Sequence, residues 1–165
     1  MGYEVHLDES NVALKKEHLD AAYQAMCKLN ERDDLKRGGG YTGGAKVSSW
    51  FSWMDPNFPE TCSDAKAVLQ MLGFWVSERP NGDLWISGYD SKTGQEELFL
   101  QSIAKYVDIV DTYIDRDIVS GNKLEPFMTF TGEDGEQYMY TFKDGKLYSA
   151  AGIRKWGTPV QVESI

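Results

Sequence analysis

The spacing of apolar residues changes period several times along this chain. Tyr3-Glu4-Val5-His6-Leu7 alternates, the period-two signature of a short strand. From Lys16 to Asn30 the period lengthens. Leu19, Ala22, Tyr23, Met26 and Leu29 recur at three and four residues and share one helical face, while Asp20, Gln24, Lys28 and Glu31 take the other. Ala65, Val68, Leu69 and Leu72 repeat that spacing in a second helix, with Thr61 or Ser63 as N-cap and Gly73 as its stop. Thr93-x-x-Glu96 fits a capping box. It opens a third predicted helix that runs to about Val107 on a core face of Phe99, Ile103, Tyr106 and Val107.

Between these helices the period returns to two. Phe74 to Arg79 and Asp83 to Tyr89 flank Pro80-Asn81-Gly82 and read as a hairpin. Thr112 to Arg116 reads as a short strand and Ser120 to Lys123 as a loop. Phe127 to Thr131, Gln137 to Lys143 and Lys146 to Ala150 form a meander. Its turns lie at Glu133-Asp134-Gly135-Glu136 and Asp144-Gly145, and Tyr138, Tyr140 and Phe142 share one face. The order β-α-β-α-β-β-α-β-β-β-β, with local hairpins, predicts an α+β fold. Its antiparallel sheet of hairpins and C-terminal meander carries about three helices packed mainly on one face, in a single domain over 1–165.

One stretch resists this reading. Five of the nine residues from Gly38 to Lys46 are glycine, which loses the most backbone entropy on ordering. A flexible loop is therefore expected over 33–47. Trp50-Phe51-Ser52-Trp53-Met54 follows as a strand or anchored turn, ended by Pro56 and Pro59.

Composition narrows the classes. The 165 residues, 41% apolar and 26% charged, suffice for a core without a metal or disulfide staple. Net charge is −9, from 17 Lys and Arg against 26 Asp and Glu, which disfavours duplex nucleic acid and suits a basic protein surface. Cys27 and Cys62 form no paired motif and read as buried thiols in a reducing cytoplasm. The first residues have no basic n-region, and no apolar run approaches the ~20 residues that span a bilayer, so no membrane partner is expected.

Catalytic signatures are missing from the sequence. The run Gly39 to Lys46 departs from a phosphate-binding loop, because Ala45 separates Gly44 from Lys46 and Val47 takes the hydroxyl position. His6 and His18 belong to no nucleophile or zinc pattern, and no cofactor or metal is expected. Glu96 and Glu97 suit a helix N-terminus, where the dipole favours them. Asp108, Asp111, Asp115 and Asp117 make an acidic run that does not match a calcium loop. It is a solvated face or a docking surface. Trp75 opposes Phe74 and Val76, and Trp85 opposes Leu84 and Ile86, which places both on the second face of the sheet, as core or as interface anchors.

The stretches Asp33 to Gly39, Trp50 to Met54 and Tyr89 to Glu96, with the turn Gly132 to Glu136, are similar to small α+β proteins of tailed phages and their actinobacterial hosts. The resemblance covers about Tyr23 to Tyr148 and implies a phage origin and a host-cytoplasm setting. It carries no catalytic motif and assigns no functional residue.

The reading put first is a non-enzymatic phage accessory protein. It binds, and inhibits in the manner of an anti-CRISPR, a host protein with a basic surface, such as a nucleic-acid-binding defence protein, through Asp108, Asp111, Asp115 and Asp117. Self-association stays open. The alternative is a binder of a small anionic ligand or single-stranded nucleic acid. There Lys36, Arg37 and Lys46 would hold phosphates and Tyr41, Trp50 and Trp53 would stack, with Trp75 and Trp85 as further aromatic contacts. An enzyme whose site assembles only on folding is the third.

Overall fold

The computed structural model describes residues 2–111, 125–153 and 155–162. Strand β1 (Glu4–Ser10) runs into β2 (Val12–Leu14) with Asn11 between them. Asn11 is fully buried, so its amide must be satisfied inside the protein. Its Oδ1 accepts from Phe127 N at 2.7 Å, its Nδ2 donates to Glu125 O at 3.3 Å, and its carbonyl accepts from Val110 N at 2.8 Å. The break in the strand thus ties together β7 (Val107–Ile109) and β8 (Phe127–Gly132) on either side.

Strand β6 (Leu84–Lys92) is long enough to hold several partners. Its C-terminal half pairs with β1 and its N-terminal half with β2, while β5 (Phe74–Glu78) lies along its other edge. With β9 (Gln137–Lys143) and β10 (Lys146–Ala151) completing the meander, seven strands of the eight-stranded sheet run β10-β9-β8-β1-β6-β2-β7, and β5 is the eighth, paired to β6 off that path. Every pairing in it is antiparallel.

The helices cover one face. Helix α1 (Leu19–Leu29) buries Ala22 and Met26, as the three- and four-residue spacing predicts. A short α2 (Phe58–Thr61) buries Phe58. Helix α3 (Ala65–Leu72) buries Ala65, Val68, Leu69 and Leu72, and Gly73 closes it at φ 108°. Its N-cap is neither Thr61 nor Ser63. Asp64 caps it, accepting from Ala67 N at 2.8 Å, because Thr61 already belongs to α2. Helix α4 (Glu96–Ile103) buries Phe99, Leu100 and Ile103. These side chains meet Val5, Leu7, Leu14, Phe74, Ile86, Tyr89, Phe130 and Phe142 of the sheet in one continuous core. The opposite face carries exposed Glu4, His6, Asp8 and Asp90. The architecture is the α+β arrangement that the sequence predicts.

Three local expectations are corrected. Helix α4 ends at Ile103 and passes through a 3-10 turn, Ala104–Tyr106, into β7, so Val107 is a strand residue. Thr93 does not cap it. Gln95 holds the N-cap position, and the Glu96 carboxylate folds back to accept from Gly94 N at 2.7 Å.

The glycine run is the third. Asp33–Leu35 form a 3-10 turn, and β3 (Gly38–Thr42) pairs with β4 (Ala45–Trp50) as a separate two-stranded hairpin. Gly43 and Gly44, at φ 61° and 82°, form a two-residue turn of the kind that needs positive φ at both positions. The other three glycines make room for the side chains of β4. A Cβ on Gly38 would stand 2.3 Å from the Trp50 ring, one on Gly39 the same distance from the Lys46 side chain, and one on Gly40 2.6 Å from Ser48 Oγ. This cross-strand cover offsets the entropy that the glycines lose on ordering, so the run forms a hairpin where a loop is expected. The expected strand Thr112 to Arg116 and the loop Ser120 to Lys123 lie outside the described residues.

Candidate functional site

A cleft of about 800 Å³ lies between the start of α4 and the helix-side face of the meander. Its floor is Tyr3, Val5, Tyr138, Tyr140 and Ser149, and its walls are the linker 34–37 and the segment 93–98. Gln95 assembles these walls. Buried to 5%, its Oε1 accepts from Arg37 N at 2.9 Å and Ser52 N at 3.2 Å, and its Nε2 donates to Leu35 O at 2.6 Å. One side chain thus satisfies three backbone groups from two separate segments.

Two adjacent carboxylates face this cleft. Glu97 accepts from the Tyr140 hydroxyl at 3.0 Å. Glu96 is only 6% exposed, and among the described residues no cation lies within ion-pair distance of it. Burial pushes its carboxyl pKa upward, and the charge of Glu97 adds to the shift. The Gly94 N–H and, more weakly, Arg37 oppose it. The hydroxyls respond in kind. Burial and then the charge of Glu96 push Tyr138 up, and burial and then Glu97 push Tyr140 up. Tyr3 donates to the Asp134 carboxylate, and that hydrogen bond pushes its pKa up to about 12. Tyr138 stacks on Phe130 at 4.9 Å and meets Tyr140 edge-on at 5.4 Å, which fixes both rings.

The raised carboxyl gives a pH dependence of definite sign. With the folded pKa above the unfolded value of 4.5, folding takes up a proton in the interval between them, so this group's contribution favours the fold as pH falls. Glu96→Gln keeps an acceptor for Gly94 N and removes the buried charge. Its stability relative to the natural chain should be highest at pH 7 and decline toward pH 5, as read from paired thermal melts. A gap independent of pH would show that Glu96 is not strained by burial.

The residues singled out by sequence fall into several places. Asp108 lies exposed on β7, its Oδ1 accepting from Ile109 N at 2.7 Å. Asp111 pairs with Arg79 at 3.3 Å and accepts from Asn81 at the same distance. Asp115 and Asp117 lie outside the described residues. Lys36, Arg37 and Lys46 are neighbours, but their charges do not converge on an open groove. The Lys36 ammonium is buried, donating to Asp33 Oδ1 and Asn30 O at 2.7 Å each. Lys46 donates to Lys36 O at 3.1 Å. Arg37 alone of the three is exposed on the cleft wall without an ion pair among the described residues.

The tryptophans also divide. Trp50 is half-buried over the glycines of β3. Trp53 is 58% exposed, at φ 67°, and donates from Nε1 to Thr93 O at 3.0 Å. Trp75, equally exposed, lies over Gly88 on the sheet's open face. Trp85 is half-buried, donating to Ser10 O at 3.0 Å, with the Arg79 guanidinium 5.9 Å from its ring centroid. Tyr41, at 65% exposure, sits near the end of the β3–β4 hairpin.

Sequence reasoning missed the cleft. It gives Glu96 and Glu97 to the helix dipole and Tyr138 and Tyr140 to one strand face with Phe142, and nothing in the spacing brings the start of α4 over that face. No helix among the described residues is long and apolar enough to cross a membrane. Comparison with protein-family models, with curated proteins and with solved structures gave no match in any of the three.

Proposed function

We propose that this chain is a non-enzymatic binding protein that docks on a protein partner with a basic surface, and that the β3–β4 hairpin is the arm that meets it. One observation carries this reading: every residue from Tyr41 to Ser48 is exposed, with Tyr41 and Val47 each at 65%. The two strands pair with each other and with no third strand among the described residues. A lone two-stranded ribbon is marginal in water, and its unpaired edges are ready to accept another strand. An arm of this kind gains order from what it binds.

Charge and contact divide the work. A net charge of −9 steers the chain toward a basic partner and speeds encounter. Aromatic and apolar groups at the contact then slow dissociation. Asp108 and Asp111 serve the first role in this scheme. The pairing of Asp111 with Arg79 lowers its share. A host protein of the kind that a phage inhibitor would occupy is the partner that fits the resemblance noted above.

The experiment is affinity capture from bacterial lysate treated with nuclease, followed by kinetics on the recovered partner. Tyr41→Ser with Val47→Ser should raise the dissociation rate by roughly tenfold or more, as loss of an interface anchor does. Asp108→Asn with Asp111→Asn should lower the association rate and its salt dependence while leaving dissociation nearly unchanged. Unaltered dissociation in the hairpin variant would remove the arm from the interface.

A further inference from the structure

The cleft beside α4 is separate from the hairpin and does not depend on that reading. Its lining has three carboxylates, Asp34, Glu96 and Glu97, against two cations, Lys36 and Arg37. Two of the five charges are already answered, Asp34 by Arg32 at 2.6 Å and Lys36 by Asp33 at 2.7 Å. What remains is Glu96 and Glu97 facing Arg37, a net negative wall over the rings of Tyr138 and Tyr140.

Glu96 makes this more than a cluster of acids. Its side chain is more than nine-tenths buried, lines the cleft, and is held by a backbone N–H with no counter-ion among the described residues. A buried carboxylate without a counter-ion costs stability, and one that lines a cleft marks a candidate functional site. Tyrosine faces beside carboxylates are the surroundings in which an alkylammonium or guanidinium group is held, by ion pairing at its head and by cation–π attraction along its flank. The volume of about 800 Å³ is that of a small-ligand cleft.

The geometry points to this cleft as a binding site for a cationic amine or guanidinium group, with Glu96 and Glu97 as its anionic end and Tyr138 and Tyr140 as its aromatic floor. The group can come as a free small molecule or on the side chain of a peptide. Arg37, at the opposite wall, sets the sign against a second positive charge on that side.

Titration calorimetry on the full chain tests this with two singly charged probes, n-butylguanidinium for the free group and acetyl-Gly-Arg-Gly-amide for the peptide-borne one. Saturable binding of either is expected, and the tighter of the two identifies the source. Glu97→Gln should weaken it roughly tenfold or more, and Glu96→Gln by at least as much, since each loses a charged hydrogen bond. Thermal melts establish that each variant is folded. If Glu96→Gln fails to fold, Glu97→Gln alone decides, its carboxylate being exposed. Absence of saturable binding by both probes at millimolar concentration would overturn the assignment. So would binding that both Gln variants leave unchanged, or tighter binding of succinate than of n-butylguanidinium.

Discussion

Phe99→Ala will destabilise the domain by about 3–5 kcal/mol, the range for truncating a fully buried aromatic. The ring is completely inaccessible and stands at the meeting point of two others, edge-to-face with Phe51 at 5.2 Å and with Phe58 at 5.5 Å. Phe51 comes from the turn after the hairpin and Phe58 from α2, so one side chain joins α4 to both. Removing it leaves a cavity that two neighbouring rings cannot close without leaving their own rotamers. Glu97→Ala, two residues earlier on the same helix, should cost about 0.3–1 kcal/mol for the dipole interaction. Losing the acceptor for Tyr140 adds about as much again. Denaturant midpoints of the two variants measure the contrast. Equal midpoints would mean that Phe99 does not face the core.

The second large effect is at Asp83, in the turn of the β5–β6 hairpin. Its carboxylate is 6% exposed and accepts from Lys16 N at 2.9 Å, Lys15 Nζ at 3.2 Å and Asn81 Nδ2 at 3.1 Å. It therefore joins the turn to the segment that leads into α1. Burial pushes its pKa up, but these donors outweigh burial and hold it below the ordinary value of 3.8. Asp83→Ala leaves the Lys16 N–H without its acceptor and the Lys15 ammonium without its counter-ion, held among the described residues by the Ile109 carbonyl alone at 3.2 Å. A loss of about 3 kcal/mol is expected, at the lower end for a broken buried pair because Lys15 keeps 24% exposure. The sign with pH is opposite to that of Glu96. A depressed carboxyl stabilises the fold above its unfolded pKa, and that contribution fades as pH falls through the folded one. The gap between the natural chain and Asp83→Ala in urea melts should therefore be full at pH 6 and smaller at pH 3. A gap that holds constant would assign Asp83 to shape alone.

The elements most legible in the sequence are those whose stability is local. The stripe Ala65, Val68, Leu69 and Leu72 with Gly73 behind it, and the alternation of Tyr138, Tyr140 and Phe142, each specify a face and an end without help from distant residues. The glycine run was misread because its order comes from Trp50, Lys46 and Ser48 lying across a bare backbone, a pairing that only register discloses. The N-cap of α4 was misread for a related reason. Gln95 is drawn inward by Leu35, Arg37 and Ser52, which lie more than forty residues away in the chain, and the Thr93 N–H donates to Tyr3 O, just before β1. The cleft was invisible on the same grounds, since its carboxylates and its tyrosines belong to elements that meet only through the core.

If the β3–β4 arm is the contact surface, its excision abolishes binding. Gly38 and Trp50 are cross-strand partners, so an Asn-Gly turn in place of Gly39–Ser49 joins them without disturbing the flanking chain. Phe51 and the Gln95 bridge to Leu35, Arg37 and Ser52 are kept. The shortened chain should melt within a few degrees of the natural one and fail to capture the partner that the natural chain recovers from lysate. A folded, shortened chain that still captures that partner undiminished would contradict the claim.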